Sequence, residues 1–159
     1  MKKPMRRRVL ALLLSLFALL PAGAGLAQDQ TVRFPVSELT LHTENGDYPI
    51  AVEVATSSPQ RQRGLMFRTE LARDHGMIFD FGVDRPASMW MANTLIPLDM
   101  VFIRADGTVS GYHENAVPGS KAVISSSEPV RYVLELGGGE AAAYGLKSGD
   151  RVTGPALSD

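Results

Sequence analysis

The chain has 159 residues, 16 basic and 17 acidic side chains, and no cysteine. Disulfides, thiol chemistry and a lipid-modified N-terminal cysteine are therefore excluded. Five of the basic residues lie within the first eight positions; without them eleven face seventeen acidic ones, a net of about −6 that disfavours nucleic acid and anionic lipid surfaces as partners.

Lys2, Lys3, Arg6, Arg7 and Arg8 precede an apolar run over residues 9–20, in which Ser15 is the one polar residue and which Pro21 and Gly23 break before Gly25-Leu26-Ala27 supplies small residues for cleavage. This pattern predicts a signal peptide over residues 1–27, cut after Ala27, and export to the periplasm. The run falls short of the roughly 20 residues that a bilayer needs, so no membrane association is expected after cleavage. Residues 28–36 read as a mobile lead-in, residues 37–154 as a single domain, and residues 155–159 as a tail.

Residues 37–44 alternate, with Leu39 and Leu41 on one face, and Ile50, Val52 and Val54 repeat the pattern after Asn45-Gly46-Asp47, which predicts a hairpin. His42 falls on the polar face. Ser58-Pro59 predicts an N-cap and first helical residue, Gly64 ends that short helix, and a second helical turn is expected over residues 68–71. Arg61 and Arg63, two apart, do not share a helical face; an anion clamp is the functional reading and a solvated surface the plainer one.

Residues 76–82 predict a strand with Met77, Phe79 and Phe81 on one side and Ile78 and Asp80 on the other. Asp106-Gly107 turns into a strand over residues 108–114, Pro118-Gly119 is a stop, and residues 123–125 predict a brief strand. Val130, Tyr132, Leu134 and Leu136 are expected to face inward, with Arg131, Val133 and Glu135 facing the other way. Gly137-Gly138-Gly139 has no Lys-Ser/Thr pair after it and reads as a joint into a helix over residues 140–144, capped by Gly145, not as a phosphate cradle. A short strand over residues 151–153 closes the series.

The stretch over residues 88–103 organises the rest. Two apolar runs, residues 88–92 and 98–103, flank Asn93-Thr94-Leu95-Ile96-Pro97, which predicts strand, tight connection and strand, covered on both faces. Together the elements predict a mainly β domain with short helices, α+β in class, compact, mostly antiparallel and barrel-like. Asn93, Thr94 and Asp99, polar groups in an apolar setting, need hydrogen-bond partners or cost on the order of 1–3 kcal/mol each.

The motifs at residues 63–68 (RGLMFR), 76–81 (GMIFDF), 89–100 (MWMANTLIPLDM) and 131–136 (RYVLEL) resemble the domain-of-unknown-function family 192, DUF192, over residues 39–152. The resemblance implies a small, mainly β, barrel-like domain, often exported, with no established activity and no catalytic residue to carry over. Ala92 stands where the family commonly has lysine, and Gln60 and Arg61 occupy a helix that is often acidic in relatives.

Three function classes remain open. A binding or accessory module of the cell envelope would use a pocket at Asp80, Trp90, Asn93, Thr94, Asp99 and Glu114, taking an unknown small molecule. A hydrolase would use Asp99 with His113 or Glu114, although neighbours on a strand point to opposite faces and no nucleophile elbow surrounds Ser125, Ser126 or Ser127. A structural or assembly partner would expose an apolar patch to an envelope protein. Asp99 has a structural reading besides, as an acceptor for backbone amides near Asn93 and Thr94 that locks their turn. Trp90 and the methionines read as core as readily as pocket. His42, His75 and His113 lack metal-ligand spacing, so neither metal nor cofactor is expected, and a monomer is.

Overall fold

The structure is a computed structural model, and it describes residues 32–157. The signal peptide expected over residues 1–27, with its cleavage after Ala27, lies outside them, as do the start of the lead-in and the last two residues of the tail. No helix among the described residues is long and apolar enough to cross a membrane.

The elements in order are β1 (Val36–Thr43), β2 (Gly46–Ala55), α1 (Ser58–Arg63), β3 (His75–Arg85), β4 (Ser88–Met89), β5 (Leu98–Ile103), β6 (Val109–Ala116), β7 (Ile124–Ser125), β8 (Val130–Gly137), α2 (Glu140–Tyr144) and β9 (Arg151–Thr153). Seven strands form one curled sheet in the order β6-β5-β8-β3-β2-β1-β9, and β4 pairs with β7 apart from it. The expected hairpin is β1–β2, with Thr43 opposite Gly46. All neighbours in the large sheet are antiparallel except β2 and β3, which run parallel because α1 and residues 64–74 carry the chain back to the start of the sheet. The architecture is thus a half-barrel of mixed strand direction.

Curling brings the two ends of the sheet together at one point. Val109 N–H donates to Asp150 O, Gly149 N–H to Val109 O and Val152 N–H to Gly107 O, each at 2.8 Å. Gly107 is required there: at φ +84°, an added Cβ would lie 2.4 Å from Val152 O.

The central strands β3, β5 and β8 are buried on both faces, and their alternation sorts side chains into two clusters. Ile78, Val101, Ile103, Tyr132, Leu134 and Leu136 fill the concave interior with Leu39, Leu41, Ile50, Val52 and Tyr144. Met77, Phe79, Leu98, Met100, Phe102 and Val133 point outward and are covered by Leu65, Ala87 and Met91. Each such side chain contributes roughly 1.5–3 kcal/mol by leaving water.

Several local expectations are corrected. Residues 88–103 do not form a hairpin, because β4 pairs with β7 (Met89 opposite Ile124) while β5 lies between β6 and β8. Burial on both faces holds for β5 and fails for the first run, where Trp90 is 58% exposed. The second helical turn is displaced from residues 68–71 to a non-helical turn over residues 64–67, joined by Met66 N–H to Arg63 O at 3.1 Å. On β8, Tyr132, Leu134 and Leu136 face the interior as expected, but Val130 packs in the outer cluster with Val133, and that face is covered, so Glu135 is buried there. The packed segment also runs past residue 154, since Ala156 is buried in the interior cluster.

Helix α1 is capped by Ser57, one residue earlier than expected. Its hydroxyl accepts from Gln60 N–H at 3.4 Å, while Gln60 Oε1 accepts from Ser57 N–H at 2.9 Å. Ser57→Ala should lower stability by about 1 kcal/mol in urea denaturation, with an unchanged m-value.

Candidate functional site

The six residues singled out from the sequence do not converge. Asp99 has no exposed surface, and its carboxylate accepts from Asn115 N–H at 2.8 Å, Gly139 N–H at 3.0 Å and Ala141 N–H at 2.9 Å. The glycine run after β8 therefore does cradle an anion, but the anion is the protein's own carboxylate. Among the described residues neither His113 nor Glu114 bonds to Asp99. Glu114 is on an exposed part of β6, where burial first, and the Glu114 carboxylate second, raise the Tyr112 phenol above its usual range. Asp80, 8% exposed, pairs with Arg131 (Oδ1 to Nε 3.2 Å) and accepts from Gly82 N–H at 2.7 Å.

Trp90 and Thr94 do share a cleft, and Asn93 sits at its margin. The cleft encloses about 290 Å³ between α1, the turn over residues 64–67, the end of β3 and the segment from β4 to Thr94. Its apolar lining includes Leu65, Met66, Phe79, Phe81 and Met89 beside Trp90, and its polar lining includes Arg61, Arg63, Arg85 and the buried Thr94. Among the described residues no acidic side chain lines it. Gly64 (φ +46°) lets α1 end against the floor, where an added Cβ would come within 3.2 Å of the Phe79 ring.

The turns at the margin are conformationally special. Asn93 has φ +61°, as expected of an Asn in a tight connection, and Phe67 has φ +64°, rare for a bulky side chain. Phe67 N–H donates to Asn93 O at 2.8 Å, so the two left-handed residues hold each other. Thr94 N–H and Gly119 N–H both donate to Met91 O, at 3.0 and 3.1 Å, which ties the Trp90 segment to the loop after β6. Backbone strain of this kind costs on the order of 1–3 kcal/mol per residue and gathers where a structure is built around a site.

The family model DUF192, described as "Uncharacterized ACR", matches residues 40–154. The chain belongs to the DUF192 family. Among solved structures similar to this chain, a Sinorhizobium meliloti 1021 protein, described only provisionally as a transcription regulator, is 49% identical. It covers 79% of this chain and 98% of its own, with a TM-score of 0.76. A protein of unknown function from Novosphingobium aromaticivorans DSM 12444 is 39% identical, covering 74% of this chain and 84% of its own, with a TM-score of 0.72. Comparison with curated proteins gives no match.

One further group in this DUF192 domain escaped the sequence reading. Glu135 lies opposite Met77 on one side and Met100 on the other, on the covered face of β8, and is 4% exposed. Burial alone pushes its carboxyl up to about 8. The signal was present in the sequence: an acid between Leu134 and Leu136 obeys the same rule as Asp99 between Leu98 and Met100. Arg85 was missed for another reason, since nothing local to it foretells that β3 ends beside α1. Among the described residues no three His, Asp or Glu side chains gather closely enough to hold a metal ion.

Proposed function

We propose that this DUF192 chain is an exported small-ligand-binding or accessory module of the cell envelope, and that its ligand seats in the cleft beside Trp90. The observation that carries the reading is a tryptophan left 58% exposed as the wall of a concave site that combines apolar side chains with arginines and the buried residue Thr94. The leader pattern of residues 1–27 supports export. A hydrolase reading loses support because Asp99, its proposed base, has both oxygens committed to main-chain amides. The regulator description of the S. meliloti relative, carried over to this chain, meets a net charge of about −6 without the leader, which opposes a nucleic-acid partner.

The test is a thermal-shift screen of envelope metabolites and glycans on the chain purified after export through its own leader, beside Trp90→Ala. A ligand at a hundred times its Kd adds about 2.7 kcal/mol, on the order of 10 °C for a domain of this size. At least one compound should raise Tm by several degrees in the wild type and not in Trp90→Ala. No rise across the screen would overturn the reading.

A further inference from the structure

We infer that the ligand of the Trp90 cleft is a small organic anion, whose carboxylate or phosphate is held by the cleft arginines while a flat apolar body lies against Trp90. The inference rests on the ligand-binding reading above and names the class of molecule.

The charge arrangement points this way first. In a chain whose domain carries excess acid, Arg68, Arg104, Arg131 and Lys147 each reach a carboxylate, on Glu53, Glu128, Asp80 and Glu44. Arg61, Arg63 and Arg85 reach none among the described residues. They rest instead on π faces and carbonyls, which leave their charge uncompensated. The Arg61 and Arg85 guanidiniums lie 5.8 and 5.5 Å from the centroid of the same Phe81 ring, and Arg63 is 4.8 Å from that of Phe67. Gathering like charges around one cleft is unfavourable in the empty site, and an anion reverses the sign of that interaction.

The site is also built to present one of those charges. Arg61 Nη1 donates to Thr56 O and, at 3.1 Å, to Asp80 O, so its guanidinium is held in place by neutral acceptors. A guanidinium fixed in this manner offers its remaining N–H groups to a planar carboxylate or a phosphate. The other half of the ligand follows from the lining: Trp90, Phe79 and the Met66 thioether reward a flat apolar body, which a bare inorganic anion does not supply. A volume of about 290 Å³ lies at the small end of the range for small-molecule sites.

Trp90 is the only tryptophan in the chain, so its indole N–H cross-peak in a proton–nitrogen correlation spectrum reports on this cleft alone. The probes are 2-naphthoate, its neutral isostere 2-naphthamide, and acetate. Naphthoate should move the cross-peak with a Kd at least tenfold below that of naphthamide in 50 mM salt, and the difference should shrink in 500 mM salt. It should shrink in the double variant Arg63→Gln, Arg85→Gln, which keeps only the anchored Arg61 and whose exposed side chains leave the fold intact; an undiminished difference would overturn the role of the arginines. Equal binding of naphthoate and naphthamide would overturn the anion while leaving the cleft in place. Acetate binding as tightly as naphthoate would overturn the apolar body. If no probe moves the cross-peak and the metabolite screen is also silent, the cleft itself is not a site.

Discussion

Replacing Asp99 with alanine should remove most of the domain's stability. Its carboxylate satisfies three main-chain donors from two separated places, Asn115 at the end of β6 and Gly139 and Ala141 at the start of α2, in a position with no exposed surface. A hydrogen bond to a charged acceptor is worth about 1.5–3 kcal/mol, and a buried donor left without one costs about 1–3. The combined loss is on the order of 5 kcal/mol, comparable with the lower end of total stability for a domain. Asp99→Asn keeps the shape but turns an amide NH2 toward donors, so it should recover only part of the loss. Urea denaturation followed by circular dichroism reads both variants. A change below about 1 kcal/mol for Asp99→Ala would refute the lock and restore Asp99 as a candidate for chemistry.

The second large effect is a loss of stability with rising pH that traces to Glu135. Folded, burial keeps its proton in place up to about pH 8; unfolded, the carboxyl releases it near 4.5. Between those values the unfolded chain binds fewer protons than the folded one, so stability falls as pH rises. The slope is about 1.4 kcal/mol per pH unit, amounting to about 5 kcal/mol once pH exceeds 8. Glu135→Gln should match the wild type near pH 4.5, exceed its stability by several kcal/mol at pH 8.5, and show a correspondingly flatter profile. Denaturation midpoints of the two chains from pH 4.5 to 9 make the comparison, and taking their difference removes the contribution of every other acid. Parallel profiles would mean that Glu135 finds compensation in the fold.

How far the fold could be read in advance depended on how local its cause was. The β1–β2 hairpin follows from two alternating runs around Asn45-Gly46, and both faces of β5 are buried as its apolar run requires. The strand formed by residues 98–103 was legible while its partner was not: β5 pairs with β6 and β8, and residues 88–89 with β7, because loop packing rather than alternation decides which strands meet. Asp99 was legible as a polar group needing partners. That those partners are Asn115 and the glycine run, not the Asn93-Thr94 turn, depends on β5 and β8 being neighbours.

The candidate site divides in the same way. Trp90 and Thr94 were marked by composition, and they do line one cleft, whereas Asp80, Asp99 and Glu114 are held elsewhere. Arg61 and Arg63 looked like an ordinary solvated surface because two residues of separation puts them on different sides of a long helix. In a helix of only six residues that ends at Gly64, both still border the same cleft.

The sequence by itself determined the mainly β class, the buried central strands and the need of each buried acid for a partner or a proton, because alternation and desolvation act on a residue through its immediate neighbours. The tertiary structure decided what surrounds Trp90. The parallel return from β2 to β3 through α1 brings Arg61, Arg63 and Arg85 to one tryptophan, and no pattern confined to a single stretch of chain records a meeting between side chains that far apart in sequence.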